Sequence, residues 1–328
     1  MKLKLAFHVN PRIRPLVDGT VQIPGHEMDW HVGHAAELHL WHLTENTCDV
    51  FEFSISNYLV TKDKIRQGER THLRWLAIPM FLMKAAMWLE FYVHADSGIQ
   101  SFADLKGKRI GIPDYQMTAG VWMRIVLREL YGIRPEDIAW VNGRTAEHTH
   151  GEGVTDSLAP GIELRRLQAG ESLNDLLQRG EIDGAYGDSH SAAVQAGPKV
   201  QMLPPEVGRQ AFRDYYAKTG RTPVNHILLM QERLLAEDPA LPRKLYDAFE
   251  QSKQEAYERA RQAAEAYFLF PELTFADAAA EFGADPYPRG LATNRAMVQT
   301  VIDELLMEGL IGRPPDIDAL FAPGVRDT

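Results

Sequence analysis

Cysteine is nearly missing from this chain. Cys48 is the one cysteine in 328 residues, which excludes an intrachain disulfide and suits a reducing compartment. Nothing around it in sequence would generate a thiolate, so it reads as a small buried apolar residue ahead of a strand. Long apolar runs are missing too. The most hydrophobic stretch, Trp75 to Leu89, is interrupted by Pro79 and Lys84 and falls short of the roughly 20 residues that a bilayer span takes. Met1 to Val9 alternates like a first strand and reaches Asn10-Pro-Arg12 without the continuous apolar core of a signal peptide. The expectation is a cytoplasmic protein with no membrane partner. Basic charge is also short: 35 Lys and Arg stand against 45 Asp and Glu, a formal net charge of −10. A protein that tracks nucleic-acid phosphates needs clustered cations, and no basic stripe is present. Internal repeats and low-complexity segments are absent as well.

What is present is an alternation of strand-like and helix-like segments. Leu3–Val9, Met28–Val32, Asp49–Ser54 and Phe91–His94 read as strands, with helical spacing at His34–Thr44. Arg109–Pro113 is a strand that feeds a helix from about Thr118 to Tyr131, and Ile138–Val141, Ile162–Leu167 and Gly184–Tyr186 are further short strands. Alternation of this kind predicts βαβ units and a mainly parallel sheet. Residues Gly143–Pro160 lack periodicity and read as a loop. Leu241 to Phe268 and Thr293–Glu308 carry the patterns of two long C-terminal helices.

The run Ile110-Gly-Ile-Pro-Asp-Tyr-Gln-Met-Thr-Ala-Gly-Val-Trp-Met-Arg124 resembles the Gly-Val-Pro-Glu-Tyr-Gln-Met-Thr-Ala-x-Val-Trp-x-Arg stretch of the 4,5-dihydroxyphthalate decarboxylase family. Further matches are Arg12-Ile-Arg14 with Asp18-Gly19, Asp49 to Tyr58, Thr219 to His226, and Asp285-Pro-Tyr-Pro with Asn294-Arg295 and Leu320-Phe-Ala-Pro323. The resemblance implies an α/β, two-lobed, type II periplasmic-binding-protein-like fold with an interlobe cleft. Lobe I would take residues 1–94 and the returning segment and C-terminal helices of 223–328, and lobe II residues 95–222. It also implies a carboxy-lyase acting on a hydroxylated aromatic acid. Two departures stand out. Met87-Trp88 occupies the place of the family's Arg-His pair, and Gly184-Ala-Tyr-Gly-Asp-Ser-His190 replaces an Ala-rich loop containing Arg-Pro.

Decarboxylating such an acid without a cofactor requires a proton for the ring carbon, stabilisation of developing charge, and a grip on the carboxylate. In open α/β sheets these groups come from loops at the carboxyl ends of strands. Arg12 and Arg14 follow the first strand and can hold anionic groups, or pair on the surface with an acid such as Asp18. Ser54, Ser56 and Asn57 end another strand, offering hydroxyls and an amide to a ligand or a cap to a helix. Tyr115, Gln116, Met117 and Thr118 open a helix whose N-terminal N–H groups favour an anion. His226, inside the Thr219–His226 match, is the first candidate for general acid/base, with His190 and Asp188 as a second pair. Lys84 is a candidate charge stabiliser, or a lysine that snorkels.

His34, His39 and His42 share one side of a helix if that segment is helical, but the spacing is not His-Glu-x-x-His and no cysteine is near. The expectation is therefore no metal, with the histidines outside and Ala35, Leu38 and Trp41 inside. The implied partner is a small-molecule carboxylate; the oligomeric state is open, and a homo-oligomer is compatible with the sequence. The rival to the enzyme is a non-catalytic cytosolic carboxylate-binding protein or sensor, since one fold serves many functions.

Overall fold

The structure is a computed structural model that describes residues 1–8, 10–83, 90–143, 158–187, 194–267, 277, 279–281, 283, 285 and 287–328. The strands are β1 (Lys2–His8), β2 (Glu27–Gly33), β3 (Val50–Ser54), β4 (Trp75–Met83), β5 (Phe91–His94), β6 (Arg109–Ile112), β7 (Ala139–Asn142), β8 (Glu163–Arg166), β9 (Gly184–Tyr186), β10 (Val200–Met202) and β11 (His226–Gln231). The helices are α1 (Arg14–Val17), α2 (Ala35–Thr44), α3 (Ile55–Arg66), α4 (Thr118–Tyr131), α5 (Leu173–Gln178), α6 (Pro205–Thr219), α7 (Leu234–Glu237), α8 (Leu241–Tyr267), α9 (Leu291–Met307) and α10 (Ile317–Leu320).

Two sheets result. The first has the order β2-β1-β3-β11-β4, with β1, β2 and β3 parallel and β11 antiparallel to both its neighbours. The second has the order β10-β5-β9-β6-β7-β8, parallel from β9 to β8, with β5 reversed. Because β5 pairs with β9 and β10, Phe91–His94 sits in the second sheet. The change of sheet thus falls before Phe91, a few residues ahead of the expected boundary at 94. Pro79 is tolerated in β4 because that strand is an edge of its sheet, and its carbonyl accepts from Gly290 N at 3.0 Å.

Apolar alternation on β1 buries Leu3, Leu5 and Phe7 against α8 through Leu245 and Phe249. On the other side of the sheet, Phe51, Phe53 and Trp75 belong to a core that continues without a break into Ile110, Ile112, Trp122 and Phe91 of the second unit. Helix α9 supplies Val298, Val301, Ile302 and Leu305 to that shared core. The two sheets are thus packed on common hydrophobic ground. Close approach matters at Gly120 on α4, where a Cβ would lie 2.4 Å from Ile112 Cδ1.

Helix α2 departs from expectation. Its inner side carries Leu38, His39 and His42, all buried, while Trp41 is half-buried. His42 stacks on Phe51, with ring centroids 4.1 Å apart, inside an aromatic group that includes Phe53 and Trp75. The imidazoles are therefore core rings, and a flat apolar-like ring outcompetes its own polarity once neutral. Burial first, and then the charge of His31, push the His42 pKa down to about 3 from 6.5. Between those values the unfolded chain binds a proton that the folded chain refuses, so stability falls as pH drops below 6.5. Near pH 5 this site is expected to cost about 2 kcal/mol relative to neutral pH. Urea unfolding of His42→Phe across pH 5 to 7 should give a flatter profile than the parent; equal slopes would contradict it.

Candidate functional site

The parallel strands of each sheet bring their carboxyl ends to one edge, and the two edges meet. At the first, β3 ends in Ser54, whose side chain caps α3 by accepting from Asn57 N. At the second, β6 turns through residues 113–117 into α4; Tyr115 N donates to Asn142 Oδ1 at 2.6 Å, fixing this turn to the end of β7. Ser54 Oγ lies 2.7 Å from Thr118 Oγ1, and Ser56 N donates to the same oxygen at 3.2 Å. Ser56 Oγ donates to Gln116 O at 2.6 Å, and Gln116 Nε2 to Asn57 Oδ1 at 2.8 Å. All five residues are buried. The sequence-predicted Ser54, Ser56, Asn57, Gln116 and Thr118 are thus one hydrogen-bonded cluster across the two units. Asn57 Nδ2 is buried in it without a hydrogen-bond partner among the described residues. Thr118→Val should cost about 2 kcal/mol, because it strands Ser56 N–H and a serine hydroxyl. Thr118→Ser should recover most of that loss in urea unfolding, and equal stability of Val and Ser variants would refute the account.

His226 begins β11 directly opposite Ser54 of β3 and Met83 of β4. Its Nδ1 donates to Glu52 Oε1 at 2.5 Å, and Glu52 Oε2 accepts from His8 N at 3.1 Å. The His226 ring also meets His39 edge to face, centroids 4.8 Å apart. Nearby, His8 and His34 have centroids 5.8 Å apart. With Nδ1 committed to Glu52, Nε2 is the nitrogen left to face a ligand. Among the described residues no group of three or more His, Cys, Asp or Glu side chains is arranged to hold a metal ion. Trp122 Nε1 of α4 donates to Val224 O at 2.6 Å, holding the segment that leads into His226 against the second unit.

Arg12 is half-buried. Its Nη2 donates to Leu82 O at 2.6 Å, and its guanidinium lies 3.9 Å from the Tyr287 ring centroid. A cavity of about 20 Å³, the size of one water, is lined by Arg12 together with Lys253, Tyr287 and Arg289. Arg12 therefore stands beside the end of β4, next in the sheet to His226. Arg14 is exposed and lies in α1, and Asp18 is held instead by Arg259 Nη1 at 2.7 Å. The Tyr115 ring points away from the interlobe cluster into the core, edge to face with Trp140 and under the Arg124 guanidinium, 3.8 Å from its centre. Burial raises its phenol pKa far above the ordinary value. Met117 is half-buried at the N-cap of α4. Lys84, Asp188 and His190, with Met87-Trp88, lie outside the described residues. Cys48 is buried, and burial first, then Asp49, push its thiol up to about 11.

Glu52 was not among the expected residues. Its signal was present: an acid between two phenylalanines in a strand buried along its whole length is rare unless a partner waits for it.

Two α/β units whose carboxyl edges face one another, with polar side chains gathered between them, make up a two-lobed α/β fold. A solved structure bears this out: the periplasmic aliphatic sulphonate binding protein SsuA from Escherichia coli superposes with a TM-score of 0.52 at 13% identity, covering 98% of this chain and 91% of that one. The family model described as NMT1/THI5 like matches residues 86–263. A 4,5-dihydroxyphthalate decarboxylase of Comamonas testosteroni is 34% identical over 326 residues, 98% of this chain and 97% of the relative. Another of that description, from Pseudomonas putida, is 35% identical over 204 residues, 62% of this chain and 77% of its own. The chain belongs to the 4,5-dihydroxyphthalate decarboxylase family. None of the described helices is long and apolar enough to cross a membrane.

Proposed function

We propose that this protein is a cytoplasmic carboxy-lyase that decarboxylates a hydroxylated aromatic acid of the 4,5-dihydroxyphthalate kind, using its own side chains rather than an added cofactor. The observation that carries the reading is His226, set at the carboxyl edge of the first sheet beside the interlobe cluster and tied through Nδ1 to Glu52. In this reading the first sheet with α8 and α9 is one lobe and the second sheet with its helices the other. The acid lies between them. Arg12 and the α4 N-terminus attract its anionic groups, and the Ser54, Ser56, Asn57, Gln116 and Thr118 cluster offers hydrogen bonds.

The chemistry follows from the charges. Nε2 of protonated His226 gives its proton to the ring carbon that bears the carboxylate. The C–C bond then breaks, carbon dioxide leaves, and the bonding pair returns to the ring to restore aromaticity. Water reprotonates His226, so one proton is consumed per turnover. Electron-donating ring hydroxyls favour the protonation step, which is why a hydroxylated acid suits the site.

Purified protein incubated with 4,5-dihydroxyphthalate in deuterated water should release carbon dioxide and place one deuterium at the vacated ring carbon. Binding without release, across a panel of hydroxylated aromatic acids, would overturn the reading and leave a binding protein.

A further inference from the structure

We propose that Glu52 is the positioning residue of His226: it fixes the imidazole with Nε2 available and supplies the negative charge that lets this buried ring carry its proton. The inference rests on the reading of His226 as the proton donor. Its basis is geometric. Glu52 is 1% exposed and sits at the middle of the fully buried β3, where an isolated carboxylate is costly. Two donors satisfy it, one on each oxygen: the backbone N–H of His8 from β1 and Nδ1–H of His226 from β11. Only the second can carry a compensating positive charge. A buried carboxylate and a buried imidazole in contact each offset the other's cost of burial.

This arrangement does two things for the proposed reaction. It commits Nδ1 as donor, which leaves Nε2 for the reacting carbon; a histidine without such an anchor can present either nitrogen. It also stabilises the imidazolium, the form that has a proton to give. The other groups packed on His226 cannot play that part. His39 from α2 meets it edge to face and adds no negative charge, and Ser54 and Met83 across the sheet are uncharged. His8, whose backbone holds Glu52, has its own ring directed at Gly33 O, 3.4 Å away.

Glu52→Gln removes the charge while keeping the size. It is expected to lower kcat by about 10²-fold, with KM changed less, and to move the alkaline limb of the kcat/KM profile toward acid, because the protonated ring loses its counter-charge. Glu52→Asp, which keeps the charge, should restore part of kcat and the original position of that limb. A Glu52→Gln variant with an unshifted profile, and a Glu52→Asp variant no better than it, would mean that Glu52 only fills space, and the proposal would fall. A second measurement does not depend on turnover. In proton NMR the His226 Nδ1–H of the parent should appear far downfield, vanish in His226→Gln and move upfield in Glu52→Gln. If the parent shows that signal yet releases no carbon dioxide, the function is wrong and the pairing stands; if the signal is absent, the pairing is wrong whatever the activity.

Discussion

His226→Gln is expected to lower kcat for carbon dioxide release by roughly 10²- to 10⁴-fold, the contribution of a positioned general acid, while KM stays within a few-fold of the parent. Glutamine fills much of the volume of the imidazole, its amide nitrogen standing nearer the place of Nε2 than of Nδ1, and Glu52 Oε2 keeps the His8 N–H. What disappears is a group able to hand over a proton near neutral pH. Because the change touches a step made only in the transition state, kcat and kcat/KM should fall together. Deuterium incorporation gives the second readout. Slow residual turnover in the variant should still label the vacated carbon, since water then delivers the proton directly. A variant that keeps kcat within about tenfold of the parent would move the proton to another donor, and the parallel His190→Gln variant would show whether that donor is His190.

Much of the hydrogen-bonded cluster at the candidate site is legible in the sequence, and the reasons are physical. Ser54, Ser56 and Asn57 end an apolar strand, and Gln116 and Thr118 open a helix after another; parallel sheets collect such turns on one edge. Their meeting across the two units follows from the shared core. Tyr115 was misplaced because a turn residue can send its ring either way. Here Asn142 holds its backbone while Trp140 and Arg124 take its side chain. The α2 histidines were misplaced by assigning polarity from residue type: a neutral imidazole packs like a small aromatic ring, and Phe51 and Phe53 were waiting for it. Strand β4 was read only as an apolar stretch, because Pro79 masks a strand whose edge position makes proline harmless. Strand β10, three residues long, has too short a pattern to declare itself. Glu52 was missed because its partner lies 174 residues away in sequence, and no local periodicity reports a pairing at that distance.

Glu308→Leu is expected to destabilise the protein by about 3–5 kcal/mol, a large share of the stability of an ordinary domain. Glu308 and Arg124 have fully buried side chains, and the guanidinium donates through Nε at 2.5 Å and Nη2 at 2.7 Å to the two carboxylate oxygens. One partner follows the C-terminal end of α9 and the other sits on α4, so the pair joins the helix of the shared core to the helix that carries Thr118. Arg128, one turn further along α4, pairs with Glu304, one turn earlier on α9. Removing Glu308 alone leaves a buried guanidinium, stacked on the Tyr115 ring, without its ion-pair partner, and Asp114 acts on it only as a charge that no ion pair joins to it. The cost comes from that stranded charge more than from the lost attraction. Arg124→Met combined with Glu308→Leu should therefore recover most of the loss, since apolar residues of similar volume fill the space without needing partners. Urea unfolding of the two single variants and the double closes the cycle. Losses that simply add in the double variant would mean the two residues act independently, and the anchoring of α4 would have to be sought in the Arg128–Glu304 pair. If the pair does fix α4, Glu308→Leu should also raise KM while the protein is still folded, because the Gln116–Thr118 turn at the far end of that helix is part of the interlobe cluster.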